Sequence, residues 1–510
     1  MFRIVHTFAL VGATPVRVRV EVTIRRGAPG IRASGLPLSS ARQAVERIRA
    51  VAAANALRIP GLRITVNFAP ADLPKTGASF DLPLLIGILA GSGLVPADPL
   101  TRTAFVGELG LDGSIGAVPG VLPIALSLRA VADLSLLVVP ASNLGEVSGV
   151  RGCSVSGAHH VSEVLAFLAG ETTLPTPGAP PAREPEPVFE LADVRGQEEG
   201  KRALEVAAAG GHNLLLTGEP GAGKSMLAER LPGILPPLDP EESLEVSSLH
   251  SISGLLGAGA PLISRRPFRS PHHSVTMSGM IGGGSQPRPG EASLAHRGVL
   301  FLDELAEFRA TVLESLRSPI ENGVVNIVRS GRSVTFPARF QLIAAMNPCP
   351  CGLHGSGSER CTCEPWMVRR YLARISGPLM DRFDLRVSLP AVDWEVYRDS
   401  APPESNTAAC LARVRRARDV ASDRARKAWP QADPPVRCNS ELSPAQLRRC
   451  CRLDAAGDSV LGRSVRRYRL SARGCDRVLS VARTIADLEG CDLVRSGHVA
   501  EALHFRMGGL

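Results

Sequence analysis

The sequence predicts an α/β protein of three parts: a compact α/β domain over residues 1–169, a parallel-sheet domain over 190–395 and a helical lid over 396–510. Three observations predict it. Apolar strands such as NLLLTG, GVLFLDE and FQLIAAMN alternate with helical segments in the middle of the chain, the pattern of a parallel sheet wrapped by helices. The stretch GETTLPTPGAPPAREPEPVF, at 170–189, is dominated by Pro, Glu and Gly and can bury little, so it reads as a semi-extended linker. Beyond residue 400 the chain is rich in Arg and Ala at helical spacing, without a convincing strand, and the Pro and Ser clusters within 401–445 read as a mobile connection.

At 510 residues the chain exceeds what one hydrophobic core serves. Its composition, 44% hydrophobic with only 4% aromatic residues, is that of a globular protein rich in Ala, Val and Leu. No apolar run nears the roughly 20 residues needed to cross a bilayer, so no membrane partner is expected. The opening MFRIVHTFALVGATPVRVRV breaks its apolar residues with charges at alternating positions. That alternation suits a strand better than a signal peptide, and a cytoplasmic location is expected. The net charge of +9 permits a polyanionic partner without requiring one. Nearly all the cations are Arg, the exceptions being Lys75, Lys201, Lys224 and Lys427, which makes any single Arg cluster weak evidence and each Lys more telling.

In the first domain RVRVEVTI and LRITVNFAP have strand character, and SSARQAVERIRAVAAANAL carries apolar residues at helical spacing. In the second, GEPGAGKS satisfies G-x-x-x-x-G-K-[ST] between the apolar NLLLT and the helical MLAERLPGIL. Gly218, Glu219, Pro220, Gly221, Ala222 and Gly223 form a loop whose glycines let backbone N–H groups turn inward around phosphates. Lys224 neutralises the β/γ charge, Ser225 can ligate Mg²⁺, and the following helix adds its positive dipole end. ATP and Mg²⁺ are therefore the expected cofactors. Further along, GVLFLDEL ends a buried strand in two carboxylates, Asp303 suited to Mg²⁺ and Glu304 to polarising an attacking water. FQLIAAMN ends a third strand in Asn347, whose amide can sense the γ-phosphate.

These features resemble the AAA+ class of ring-forming ATPases rather than G-proteins or kinases. Such a ring calls for an Arg reaching into the neighbour's site, and SGPLMDRFDL offers Arg382 between Asp381 and Asp384, where it would stabilise transition-state charge in trans. An Arg locked in a local ion pair is the other reading. Arg473, in LSARGCDRVL at the start of a lid helix, stands where AAA+ proteins place a second sensor.

With RPFRSPHHSVT, RPGEASLAHRGVLFLDEL, AAMNPCPCG, RISGPLMDRFDL, LSARGCDRVLSVARTIADLEG and the amino-terminal NFAPADLPKTGASFDLPLLIGILAGSGLVP, nearly the whole chain resembles the YifB/ComM family of magnesium-chelatase-like AAA+ ATPases. The resemblance implies homo-hexameric rings and, for the ComM branch, a DNA helicase that drives branch migration. It implies that RPFRSPHH and the following MIGGG form an insertion pointing toward the ring pore. Read as neighbours in a strand, His272 and His273 there point to opposite faces and are not expected to share a metal. VVNIVRSGRSVTF reads as a hairpin, and the resemblance places Arg329 and Arg332 in the pore for contact with DNA phosphates; a solvated hairpin edge is the alternative. The first domain resembles the Lon-protease/ribosomal-S5-like fold. Ser79 stands at the nucleophile position of the Lon-type block, but Pro119 stands where the activating Lys belongs, and Lys75 is a poor substitute. A peptidase is not expected.

Three kinds of work fit such a motor. A DNA-translocating ATPase is favoured by the hairpin arginines and by a basic carboxy-terminal part, with about 20 Lys or Arg against about a dozen Asp or Glu after residue 400. A chelatase-type motor and an ATPase that remodels an unidentified protein partner are the alternatives.

One further cluster stands out. Cys349, Cys351, Cys361 and Cys363 fall in NPCPCGLHGSGSERCTC, directly after Asn347. Two C-x-C pairs on a glycine-rich loop could supply four thiolates to a tetrahedral Zn²⁺, although C-x₂-C is the commoner knuckle. Unmetallated structural thiols and a redox switch remain alternatives. Many YifB-type members resemble this loop while ComM helicases can lack the cysteines, which makes any metal there dispensable to the shared motor. The other seven cysteines are scattered without a frame, as expected of reduced thiols.

Overall fold

The computed structural model describes residues 1–510 apart from 72, 74–77, 179–188, 258–259, 285–286, 330–331, 356–359, 393, 399–405, 432–434 and 509–510. The expected strands and helix of the first domain are present. Phe2–Val11 and Thr14–Arg25 pair antiparallel through their whole length, Arg63–Ala69 joins the second of them, and Leu38–Ala54 is helical. They belong to a seven-stranded mixed sheet in the order Gly30–Ser34, Arg63–Ala69, Thr14–Arg25, Phe2–Val11, Thr103–Phe105, Leu136–Pro140, Ser154–Ala158. The helix Asp81–Gly91 is buried all round, which its DLPLLIGILAG sequence predicts for a helix without a polar face. The beginning of the Pro-rich stretch packs on this domain, with Leu174 in its core and the Gly157 N–H donating to the Pro175 carbonyl at 2.8 Å.

The second domain is a five-stranded sheet in the order Phe268–Arg269, Val299–Leu302, Gln341–Met346, Leu214–Gly218, Leu385–Leu389, with every neighbour parallel. Strands buried on both faces need unbroken apolar runs, and LLLTG, VLFL and QLIAAM meet that need. In register, Leu302 lies beside Ala344 and Thr217 beside Met346, so three strands finish together. Ligands of open α/β sheets bind beyond such carboxyl ends.

The carboxy-terminal part is helical, as expected. The connection expected within 401–445 contains a helix of 22 residues, Thr407–Ala428, capped by the Asn406 side chain. The Pro and Ser clusters flank this helix rather than interrupt it, and Cys410, Val414, Ala417, Ala421 and Ala425 give it a buried stripe at helical spacing. Cys410, Val414 and Ala417 of that stripe and the helix Ala472–Leu488 share one core with the sheet domain, so the lid is fused to the sheet rather than suspended from it.

The first domain is seated on the second. Ser251 Oγ donates to Glu146 Oε2 at 2.5 Å, and the Gly120 N–H donates to the Ser251 carbonyl at 3.1 Å. Gly12, in the turn between the first two strands, has φ +64°, and a Cβ there would stand 2.2 Å from Val334 Cγ1. The turn thus rests on the hairpin Val324–Arg329/Arg332–Pro337 with no room for a side chain.

Candidate functional site

Three strand ends deliver the phosphate-loop chemistry to one place. After Leu214–Gly218 the loop turns through Gly221 and Gly223, at φ +85° and +86°, into the helix Lys224–Ala228. A Cβ at either glycine would meet nothing within 4 Å, so backbone conformation rather than space demands glycine here. Lys224 Nζ donates to the Gly218 and Glu219 carbonyls at 2.8 Å and to Asn347 Oδ1 at 3.0 Å. Burial pulls its pKa below that of an ordinary Lys, against the upward pull of Asp303 and Glu219. Ser225 Oγ donates to Asp303 Oδ2 at 2.6 Å. An ammonium and a hydroxyl–carboxylate pair beside inward-turned amides can receive a phosphate chain and a hard divalent cation.

Glu304 follows in the left-handed region, at φ +52°, with its N–H held by Asp303 Oδ1 at 2.9 Å. Its carboxylate faces His273, Oε2 to Nδ1 3.3 Å. This corrects the expectation for the two histidines. They lie in a turn after Phe268–Arg269, not within a strand, and their rings lie 4.0 Å apart in a tilted stack. Sequence reasoning missed the His273–Glu304 pair, although a signal existed: RPFRSPHH carries polar residues just after a short strand of the same sheet, at the edge where the other motif residues emerge.

The opposite edge of the sheet is built differently. A cleft of about 610 Å³ is lined by Asn213, Gly298, Gln341 and Asp384, residues at the amino ends of four strands, and by Arg382 and Arg473. Arg382 is buried against Glu321, and its Nε has no hydrogen-bond partner among the described residues. Arg473, largely exposed, lies 3.9 Å from the same Glu321. Asp384 is buried between His212 and Arg477; burial would raise its pKa, but the His212 hydrogen bond and the Arg477 charge hold it at about 2. One chain in this conformation does not bring Arg382 or Arg473 to its own Lys224. The missed residue is Glu321, 61 positions from Arg382, and nothing local in the sequence marks it.

The four cysteines do converge. All four Sγ atoms lie within 4.8 Å of one another, with Cys349–Cys351 at 3.3 Å and Cys351–Cys361 at 3.6 Å. The Leu353 backbone N–H and the Cys349 thiol hold Cys351 down at about 6. The hairpin forms with Arg329 opposite Arg332 at its tip, while their side chains lie outside the described residues. Ser79 sits on a short 3₁₀ turn, its carbonyl accepting from the Gly107 N–H at 3.1 Å; Lys75 lies outside the described residues. No helix among the described residues is long and apolar enough to cross a membrane.

Comparison with known proteins places these features in a family. The family model described as "Magnesium chelatase, subunit ChlI" matches residues 190–397, "Subunit ChlI of Mg-chelatase" matches 20–143, and "Magnesium chelatase, subunit ChlI C-terminal" matches 404–506. Protein YifB of Escherichia coli is 41% identical over 503 residues, which cover 99% of this chain and 96% of YifB. Competence protein ComM of Haemophilus influenzae is 40% identical over 510 residues, covering 99% of this chain and 97% of ComM. The magnesium-chelatase 67 kDa subunit of Heliobacterium mobile is 31% identical over 198 residues, covering 33% of this chain and 30% of that subunit.

Proposed function

This chain belongs to the YifB/ComM family of magnesium-chelatase-like AAA+ proteins, and from that premise we propose that it is a Mg²⁺-dependent ATPase that works as a homo-hexameric ring and moves along DNA. One observation carries the ATPase reading: Lys224, Ser225, Asp303 and Asn347, from three strand ends, already hold one another by hydrogen bonds of 2.6 to 3.0 Å. In this reading Lys224 and the loop amides bind the β- and γ-phosphates, Ser225 and Asp303 hold Mg²⁺, Asn347 senses the γ-phosphate, and Glu304 orients the water.

The ring reading rests on the sheet's two edges. Arg382 and Arg473 stand at the edge remote from their own phosphate loop, and a neighbouring subunit that docks its nucleotide there would complete both sites. The DNA reading rests on near-full-length likeness to ComM, where chelatase subunits match only a third of the chain. The hairpin arginines Arg329 and Arg332 are the proposed phosphate contacts. Phosphate release by wild type and Lys224→Ala, with and without forked DNA, tests the whole. Stimulation of the wild type by DNA, lost in the variant and steeply weakened by salt, is expected. Turnover indifferent to DNA would remove the translocation reading in favour of a protein-remodelling or chelatase-type motor.

A further inference from the structure

The four cysteines sit on a loop that touches the phosphate loop. Asn347, two residues before Cys349, accepts from Lys224 at 3.0 Å. Gly352, between the two C-x-C pairs, has φ +86°, and a Cβ there would stand 2.5 Å from Pro220 Cδ and 2.7 Å from Pro220 Cγ. The Gly352 N–H donates to the Cys349 carbonyl at 3.0 Å, which closes a tight turn around the first pair. Beyond Cys363 the helix Pro365–Leu372 begins, anchored by buried Val368 and Tyr371. The loop is therefore pinned at both ends, and its first turn rests on Pro220.

The donor set decides what could hold it together. Four sulfur atoms, with no carboxylate grouped with them among the described residues, form a soft, all-thiolate set, which selects Zn²⁺ over Mg²⁺ or Ca²⁺. Zn–S bonds of about 2.3 Å in a tetrahedron put sulfurs about 3.8 Å apart. The observed 3.3 and 3.6 Å contacts and the 4.8 Å limit bracket that spacing, so small side-chain rotations close the site. The His354 backbone N–H also donates to Cys349 Sγ at 3.3 Å, the kind of outer hydrogen bond that orients a ligating sulfur. No pair is disulfide-bonded.

We propose that Cys349, Cys351, Cys361 and Cys363 bind one Zn²⁺ as a tetrathiolate site, and that this ion fixes Gly352 on Pro220 and so sets the shape of the phosphate loop. The ion is structural: with four protein ligands it has no open position for catalysis. The metal half stands without the DNA or ATPase readings, because its readout is metal content.

The experiment uses the full chain, purified without a histidine tag under reducing conditions. Elemental analysis is expected to find about one zinc per chain in the wild type and almost none in Cys361→Ser/Cys363→Ser. Cobalt substituted for zinc should show the strong visible bands of tetrahedral thiolate coordination in the wild type alone. Circular dichroism and the melting curve of the variant report whether the rest of the chain stays folded. Binding of a fluorescent ATP analogue is expected to weaken several-fold in the folded variant and in chelator-stripped wild type, and to recover when zinc is restored to the wild type. Wild type with neither zinc nor cobalt bands overturns the metal site, as does iron in place of zinc or a Cys–Cys disulfide found by mass spectrometry. Zinc present with nucleotide affinity indifferent to its removal overturns the second half.

Discussion

The two edges of the five-stranded parallel sheet are made from the same strands and solve opposite problems. At the carboxyl edge, Lys224, Ser225, Asp303 and Asn347 satisfy one another within a single chain. At the amino edge, Arg382 is buried with an Nε that has no partner among the described residues, and Arg473 stands largely exposed beside a shared Glu321. The first edge is complete before anything binds. The second holds cations whose pairing is unfinished, which is the condition of a surface that meets an anionic partner. The difference teaches that motif chemistry can be complete within one chain while the opposite end of the same sheet leaves a buried cation only partly paired.

The largest expected effect breaks the first edge. Glu304→Gln keeps the shape of the side chain but removes its charge, and phosphate release should fall about 10²- to 10⁴-fold with nucleotide binding retained. Lys224→Ala should lose both binding and turnover. Equal loss of nucleotide affinity in the two variants would show that Glu304 is structural.

The next prediction sharpens the contrast between edges. Arg382→Ala alone should lower turnover by about 10³-fold if its guanidinium completes a neighbour's site. Mixed with Lys224→Ala, itself inactive, it should regain a measurable share, because some interfaces would then join an intact Arg382 to an intact Lys224. A mixture no more active than its components would return Arg382 to the role of a buried partner for Glu321.

A stability effect follows from the same edge. Asp384 has a folded-state pKa of about 2, below the unfolded value, so the stabilisation is complete above about pH 4 and is lost as pH falls through about 2. Its worth is about 2 kcal/mol. Asp384→Asn should melt lower at pH 7 and show less additional destabilisation between pH 4 and pH 2, as followed by circular dichroism. Parallel acid profiles for the two proteins would mean that His212 and Arg477 do not hold this charge.

The carboxyl edge was legible in the sequence because its chemistry is local. GEPGAGKS states its own loop, and Asp303, Glu304 and Asn347 each follow an apolar run that can only be a buried strand. The amino edge was not legible in the same way. Arg382 and Arg473 could be named from likeness to a family, but Glu321 lies 61 residues from Arg382 and meets it only through tertiary folding. The C-x-C pairs announced a cluster, while the contact of Gly352 with Pro220 depends on two loops 132 positions apart and leaves no periodicity to read. Within 401–445 the Ala-rich stripe announced the helix Thr407–Ala428, while the prolines on either side, which suggested a connection, fall in part outside the described residues.

The smallest expected effect concerns Glu304, whose carboxylate is paired with His273. Glu304 points to His273 at 3.3 Å, and both side chains are at least a third exposed, at 59% and 36%. A pair so open to water is worth no more than about 1 kcal/mol, so it can bias the carboxylate's position but not lock it. His273 follows the strand that leads into the glycine-rich MIGGG segment, and a movement there would be felt directly by Glu304. His273→Asn should therefore free the carboxylate and raise basal phosphate release about two- to fivefold, with a smaller ratio of stimulated to basal rate. A fall as deep as that of Glu304→Gln would instead make His273 part of the machinery that positions the water. In that case the carboxyl edge is less self-contained than its hydrogen bonds suggest, because its last member would depend on a segment outside the phosphate loop.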